Sequence, residues 1–168
     1  MFRRLRELGP AVLVPLAWTF VTAAHLGTVT DHTLFVAHVV MAVLLAGFAV
    51  TGRADMRDGT LRVWWSIIVV GLVLTVGGAV GFHLRGGSAV LLGGALFGWM
   101  LLPAVGFVDT GRRATDGGWI YLGGAGACLL GALVYAVGPL GASGVAVAGL
   151  ALVGIGQTAG ILHAAVRY

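Results

Sequence analysis

The sequence has no lysine, no asparagine and a single cysteine among its 168 residues. Without asparagine there is no N-glycosylation acceptor. Cys128 alone cannot close an intrachain disulfide, and no CxxC metal or redox motif is possible. Charge is scarce too. Asp, Glu and Arg make up 10% of the chain, whereas a soluble domain carries about a quarter. That scarcity, with 59% apolar residues and a mean hydropathy of +1.02, excludes a soluble globular domain and a disordered chain. Catalytic signatures are missing as well. There is no phosphate-binding GxxxxGK[ST] loop, no G-x-S-x-G elbow and no HExxH zinc helix. A non-enzymatic protein is therefore the preferred expectation.

What remains is apolar sequence in long runs. Six stretches stand out, at residues 10–30, 33–51, 62–82, 88–108, 118–138 and 142–163. Each approaches the ~20 residues that a helix needs to cross about 30 Å of hydrocarbon. Barrel strands would be about half as long and would alternate in polarity. The expected fold is all-α: an integral membrane bundle of six transmembrane helices, built as three antiparallel helical hairpins in one domain over 1–168. Its first partner is the lipid bilayer. A basic start (Arg3, Arg4, Arg6) followed by Ala23 and Ala24 also has the look of a cleaved leader. The apolar run continues past that site, so the stretch is read as a span.

All ten basic residues are arginine, and they are unevenly placed. Arg3, Arg4, Arg6, Arg53, Arg57, Arg62, Arg112, Arg113 and Arg167 fall on one side of the six-span topology, and only Arg85 on the other. Arginine-rich short loops stay in the cytoplasm. Both termini are therefore expected inside, in the cytoplasmic membrane. The same asymmetry accounts for the net charge of +4 without a nucleic-acid partner. Trp64, Trp65 and Trp119 then fall at the inner interface, while Trp18 and Trp99 lie near mid-span and are expected inside the bundle. Richness in Gly, Ala, Val, Leu and Arg is the composition associated with a GC-rich prokaryotic genome. The 29 glycines include the four-residue spacings Gly77/Gly81, Gly94/Gly98 and Gly156/Gly160, which let helices approach closely in lipid.

An internal repeat is also visible. With a shift of 54 residues, Trp65 falls on Trp119, Gly77 on Gly131, Val80 on Val134, Gly106 on Gly160 and Arg113 on Arg167. Residues 10–60 would be a more divergent first copy, ending in Thr51-Gly52-Arg53 as the second ends in Thr110-Gly111-Arg112. Arg62-Val63-Trp64-Trp65 opens one unit, and Gly138-Pro139 makes the far turn of the next. Over residues 61–167 this pattern resembles the HdeD-like family of small six-helix membrane proteins. The resemblance implies tandem two-helix units and a role in envelope or acid stress. It supplies no catalytic residues.

Histidine is the most informative polar residue. His25 lies near the end of the first span and His38 near the start of the second, so both sit at similar depth near the outer face. His32 is in the joining loop and His83 at the outer end of the third span. Three readings stay open. His25 and His38 can ligate a b-type haem through two axial nitrogens. His25, His38 and His83, with a carboxylate such as Asp31, can hold a Cu or Zn ion. Or His25, His32, His38 and His83 form a pH-sensing group, since imidazole titrates at about pH 5 to 8. No cofactor is the preferred expectation, with haem or metal as the alternative. On the inner side, Gln157 and Thr158 interrupt the sixth span, His163 follows, and Asp109 ends the fourth near Arg112 and Arg113. Gln157 is expected to bond between helices. Its sharper alternative is a pathway in a small oligomeric channel or solute carrier. A homo-oligomer, or service as an accessory subunit of a larger membrane complex, are the remaining partner expectations.

Overall fold

The structure is a computed structural model that describes residues 2–84, 87–138 and 144–167. Arg85 and Pro139 lie outside the described residues. The described chain is helical throughout: α1 (Phe2–His25), α2 (Asp31–Gly52), α3 (Gly59–His83), α4 (Ala89–Arg113), α5 (Gly118–Val137) and α6 (Gly144–Arg167). Helices α2 to α6 are each long and apolar enough to cross a membrane, and α1 adds a shorter apolar segment, Ala11–His25. The chain is a multi-pass helical membrane protein.

The helices differ from the apolar runs mainly at their ends. Helix α1 begins at Phe2, well before the apolar run, and stops at His25 because Gly27 takes a left-handed turn (φ 73°). Helix α2 then starts from an N-cap, Thr30, whose hydroxyl accepts from the Thr33 amide. Helix α4 runs on through the polar residues Asp109 to Arg113. Hydropathy marks the stretch in hydrocarbon, whereas hydrogen bonding carries a helix further into the interface.

Packing follows the order α2, α3, α4, α5, α6, α1. Four consecutive pairs are therefore packed neighbours, as hairpins require. The first pair departs from expectation: α1 packs on α6, and α2 packs on α3. Gly154 of α6 is the cause on one side, because an added Cβ would lie 3.0 Å from the Trp18 Cβ. A bond from Trp18 to Gln157 fastens the same seam. Among the described residues, α1 and α2 touch only lightly, where Gly9 faces the Phe48 ring.

The tightest crossing is α5 on α6. A Cβ on Gly131 would lie 2.6 Å from the Gly149 carbonyl oxygen, and one on Gly124 would lie 2.8 Å from that of Gly156. Backbone meets backbone there, which only glycine allows. Of the spaced glycines, Gly81, Gly98, Gly156 and Gly160 all sit in close packing, whereas Gly94 has open space around it. The core is built on α1, α4, α5 and α6 around Trp18, Met100, Phe107, Cys128, Leu150 and Val153. Helix α2 contributes nothing to it. Its buried residues are Leu45, Ala49 and Gly52, all in the half away from His25.

Candidate functional site

The two ends of the bundle differ in chemistry. One carries His25, His32, His38 and His83 and is called the histidine end. The other carries Arg53, Arg57, Arg62, Arg112, Arg113, Arg167 and His163, and is called the arginine end.

At the histidine end, His25 closes α1. Its Nδ1 lies 2.9 Å from the Val21 carbonyl oxygen and its Nε2 lies 2.8 Å from the Tyr135 hydroxyl on α5. A carbonyl can only accept, so Nδ1 carries the proton. In the neutral ring Nε2 is then an acceptor, and Tyr135 donates to it. The two rings meet edge-on at 5.4 Å between centroids, and Tyr135 meets Phe97 of α4 in the same way at 5.5 Å.

His38 has the same local bond, Nδ1 to the Leu34 carbonyl oxygen at 2.8 Å. Its surroundings are different. The ring lies in a notch on α3 left by the missing side chain of Gly78, where a Cβ would come within 2.6 Å of Cδ2 and 2.8 Å of Nε2. The Phe82 and His38 rings meet in a T-shape at 5.2 Å between centroids, and Ala95 of α4 walls the same notch. His83 lies against Phe35 at 5.8 Å. His32 is exposed in the first turn of α2.

The structure thus keeps the four histidines at one end but gives them separate partners. His25 is spent on α5, and His38 on α3. Among the described residues no three His, Cys, Asp or Glu side chains are grouped to hold a metal ion. Which end of the bundle each histidine occupies was readable from sequence. Rotation about each helix axis was not, because it depends on which neighbour the helix takes.

Mid-bundle, Gln157 bonds between helices and organises more than one contact. Trp18 Nε1 donates to Gln157 Oε1 at 3.0 Å, and Gln157 Nε2 donates to the Trp99 carbonyl oxygen at 2.9 Å. That carbonyl needs a donor because Pro103, four residues on, has no N–H to offer it. Trp99 Nε1 in turn donates to Thr75 Oγ1 at 2.9 Å, and Thr75 to the Gly71 carbonyl oxygen at 2.8 Å. One chain of bonds therefore ties α1, α6, α4 and α3. Trp18, Thr75 and Gln157 are all buried. Thr158 takes no part in this chain. The signal for it in sequence was Pro103 in a long apolar run, which orphans one carbonyl and calls for a side-chain donor.

At the arginine end, Asp109 pairs with Arg113 at 2.9 Å, and Asp116 with Arg167. Trp64 Nε1 donates to Thr110 Oγ1 at 3.0 Å, and Trp65 Nε1 to the Ala49 carbonyl oxygen at 2.9 Å. Trp119, at 77% exposure, is the one of the three that stands free of the bundle, as a belt residue does. His163 is on this end, edge-on to Tyr121 at 5.3 Å and close beneath Gly117. No known family model, curated protein or solved structure matches the chain.

Proposed function

We propose that the chain is a non-enzymatic protein of a prokaryotic cytoplasmic membrane that responds to acidification at its histidine end. An envelope- or acid-stress role of the HdeD-like kind follows from this reading. Both termini lie inside, and the histidine end faces out. The observation that carries the reading is His25. Its Nδ1–H donates to the Val21 carbonyl within α1 and its Nε2 accepts from Tyr135 of α5, an arrangement that belongs to the neutral ring. A second proton turns Nε2 from acceptor to donor and forces Tyr135 to reverse its hydroxyl. The direction of the bond between the two helices is thus coupled to the protonation of one ring.

The test is a pH titration in lipid nanodiscs from about pH 8 to pH 5, read by tryptophan fluorescence and thermal unfolding. The wild-type chain is expected to show a reversible transition. The double variant His25→Gln/His38→Gln is expected to lose it. Superimposable profiles for the two proteins would overturn the reading.

A haem or metal reading has one observation in its favour. Both His25 and His38 donate Nδ1–H to a backbone carbonyl, which leaves Nε2 as the lone-pair nitrogen that a metal-bound imidazole uses. The fit ends there, since Nε2 of His25 is taken by Tyr135 and the two rings pack on different helices. A visible spectrum and elemental analysis of protein purified from its own membranes decide the matter. A Soret band, or stoichiometric copper or zinc, lost on replacing His25 or His38, would favour this reading over ours.

A further inference from the structure

We infer that His38 is the latch of a hinged helix, and that its protonation releases the histidine-end half of α2 from α3. The inference rests on the acid-response reading above and names both its trigger and its moving part.

The attachment of α2 is lopsided. Its arginine-end half is anchored by the buried residues Leu45, Ala49 and Gly52, and by the bond from Trp65 to the Ala49 carbonyl. Its other half has no buried residue. What holds that half is His38 in the Gly78 notch, its edge contact with Phe82, and Phe35 against His83. Beside these contacts an apolar cleft of about 580 Å³ opens between the two helices, lined by Val39, Ala42, Val76 and Ala79 among others.

The two inward histidines answer a proton differently. His25 has a hydroxyl at Nε2, and a hydroxyl accepts as readily as it donates. Its contact survives with the bond reversed. His38 has no such partner. Its Nδ1–H is committed to Leu34, so a second proton must go to Nε2, which faces Gly78. The notch offers Gly78, the Ala95 methyl and the Phe82 ring, and among the described residues no N or O acceptor lies within hydrogen-bond distance of Nε2. A charged donor without an acceptor is costly in such a place. It is relieved when the ring swings out to water or lipid headgroups, and α2 moves with it.

The charged and titratable groups around the notch do not change this. On α2 itself they are Asp31 and His32, with Asp31 two turns or about 10 Å along the axis. On α3 the group at this end is His83, which rests on Phe35. Helix α4 presents none at this end among its described residues, and α1 presents His25, held by Tyr135. Protonation of His32 or His83 adds like charge and works in the same direction.

The experiment places spin labels at Val40→Cys on α2 and Leu133→Cys on α5, both exposed, in nanodiscs. Native Cys128 is fully buried and stays unlabelled. Pulsed EPR is expected to give a longer and broader distance at about pH 5 than at pH 8. His38→Gln is expected to hold one distance at both pH values, while His25→Gln keeps the change. Gly78→Ala fills the notch and is expected to give the long distance at both. If His38→Gln retains the change and His25→Gln abolishes it, the latch is wrong and the acid-response reading stands. If the wild-type distance does not move with pH while its fluorescence transition persists, the hinge is likewise wrong. If neither moves, both ideas fall. Should Gly78→Ala not fold, the two histidine variants still decide.

Discussion

A single hydrogen atom in place of a methyl group decides the closest contacts in this bundle. Lipid removes most of the hydrophobic drive between helices, so contact distance has to supply the attraction. Gly131 and Gly149 bring two backbones together, and an added Cβ at Gly131 would also strike Val153 at 2.6 Å. Gly123 on the same helix has nothing within 4 Å. Gly131→Ala should therefore cost about 1–3 kcal/mol through overpacking. Gly123→Ala should be neutral or stabilising by about 0.5–1 kcal/mol, because alanine is the better helix former. Unfolding titrations in mixed micelles check both. A larger loss for Gly123→Ala than for Gly131→Ala would contradict the α5–α6 crossing described above. At this scale the sequence was partly legible. The four-residue spacings flagged close packing, and Gly81, Gly98, Gly156 and Gly160 provide it. The glycines at the start of α5, Gly123, Gly124 and Gly126, also suggest close contact, and of these only Gly124 makes it; the contact at Gly131 was not flagged, because with 29 glycines spacing alone does not say which face meets a neighbour.

The helices themselves are held in order by polar atoms that hydrocarbon cannot satisfy. Pro103 strips the Trp99 carbonyl of its helical donor, and Gln157 replaces it from α6. The Gln157 amide has one orientation only, since Trp18 must donate to its oxygen and the Trp99 carbonyl must accept from its nitrogen. Gln157→Leu leaves two buried groups without partners and should cost about 1–3 kcal/mol. Pro103→Ala returns an N–H to α4 and gives the Trp99 carbonyl a second donor. In the double variant the Gln157→Leu penalty should then shrink by about 0.5–1 kcal/mol, a coupling that a double-mutant cycle reads directly. Strict additivity would mean that Gln157 does not serve the proline gap. The existence and order of the helices were plain from apolar runs. Their partners were not. Short loops suggested that α1 would lie on α2, yet Gly154 and Gln157, more than a hundred residues away, draw it to α6. The same long-range choice turned His25 toward Tyr135 and separated it from His38, so a shared depth in sequence became two distinct sites in space.

Across the whole molecule the consequence is uneven stability. The buried core lies on α1, α4, α5 and α6, and the bond chain through Gln157 reaches as far as α3. Helix α2 lies beyond both, attached to α3 at one end by buried residues and at the other by His38. Regions with few buried contacts open before the rest. Cys128 and an introduced Ala42→Cys report on the two parts, because Cys128 is fully buried in the core and Ala42 lines the α2–α3 cleft. Pulsed alkylation with a neutral thiol reagent, followed by mass spectrometry, should modify position 42 at lower denaturant than Cys128. In native conditions the difference in rate should be at least about tenfold, equivalent to about 1.4 kcal/mol of extra opening free energy at Cys128. Lowering the pH to about 5 should raise the rate at position 42 relative to a cysteine peptide under the same conditions and leave Cys128 protected. Replacing His38 by Gln should remove that rise without altering Cys128. Simultaneous modification of both cysteines at every denaturant concentration would show that the bundle opens as one unit. A helix that moves alone in acid would then have no structural basis, and the six spans would have to act as a single rigid body.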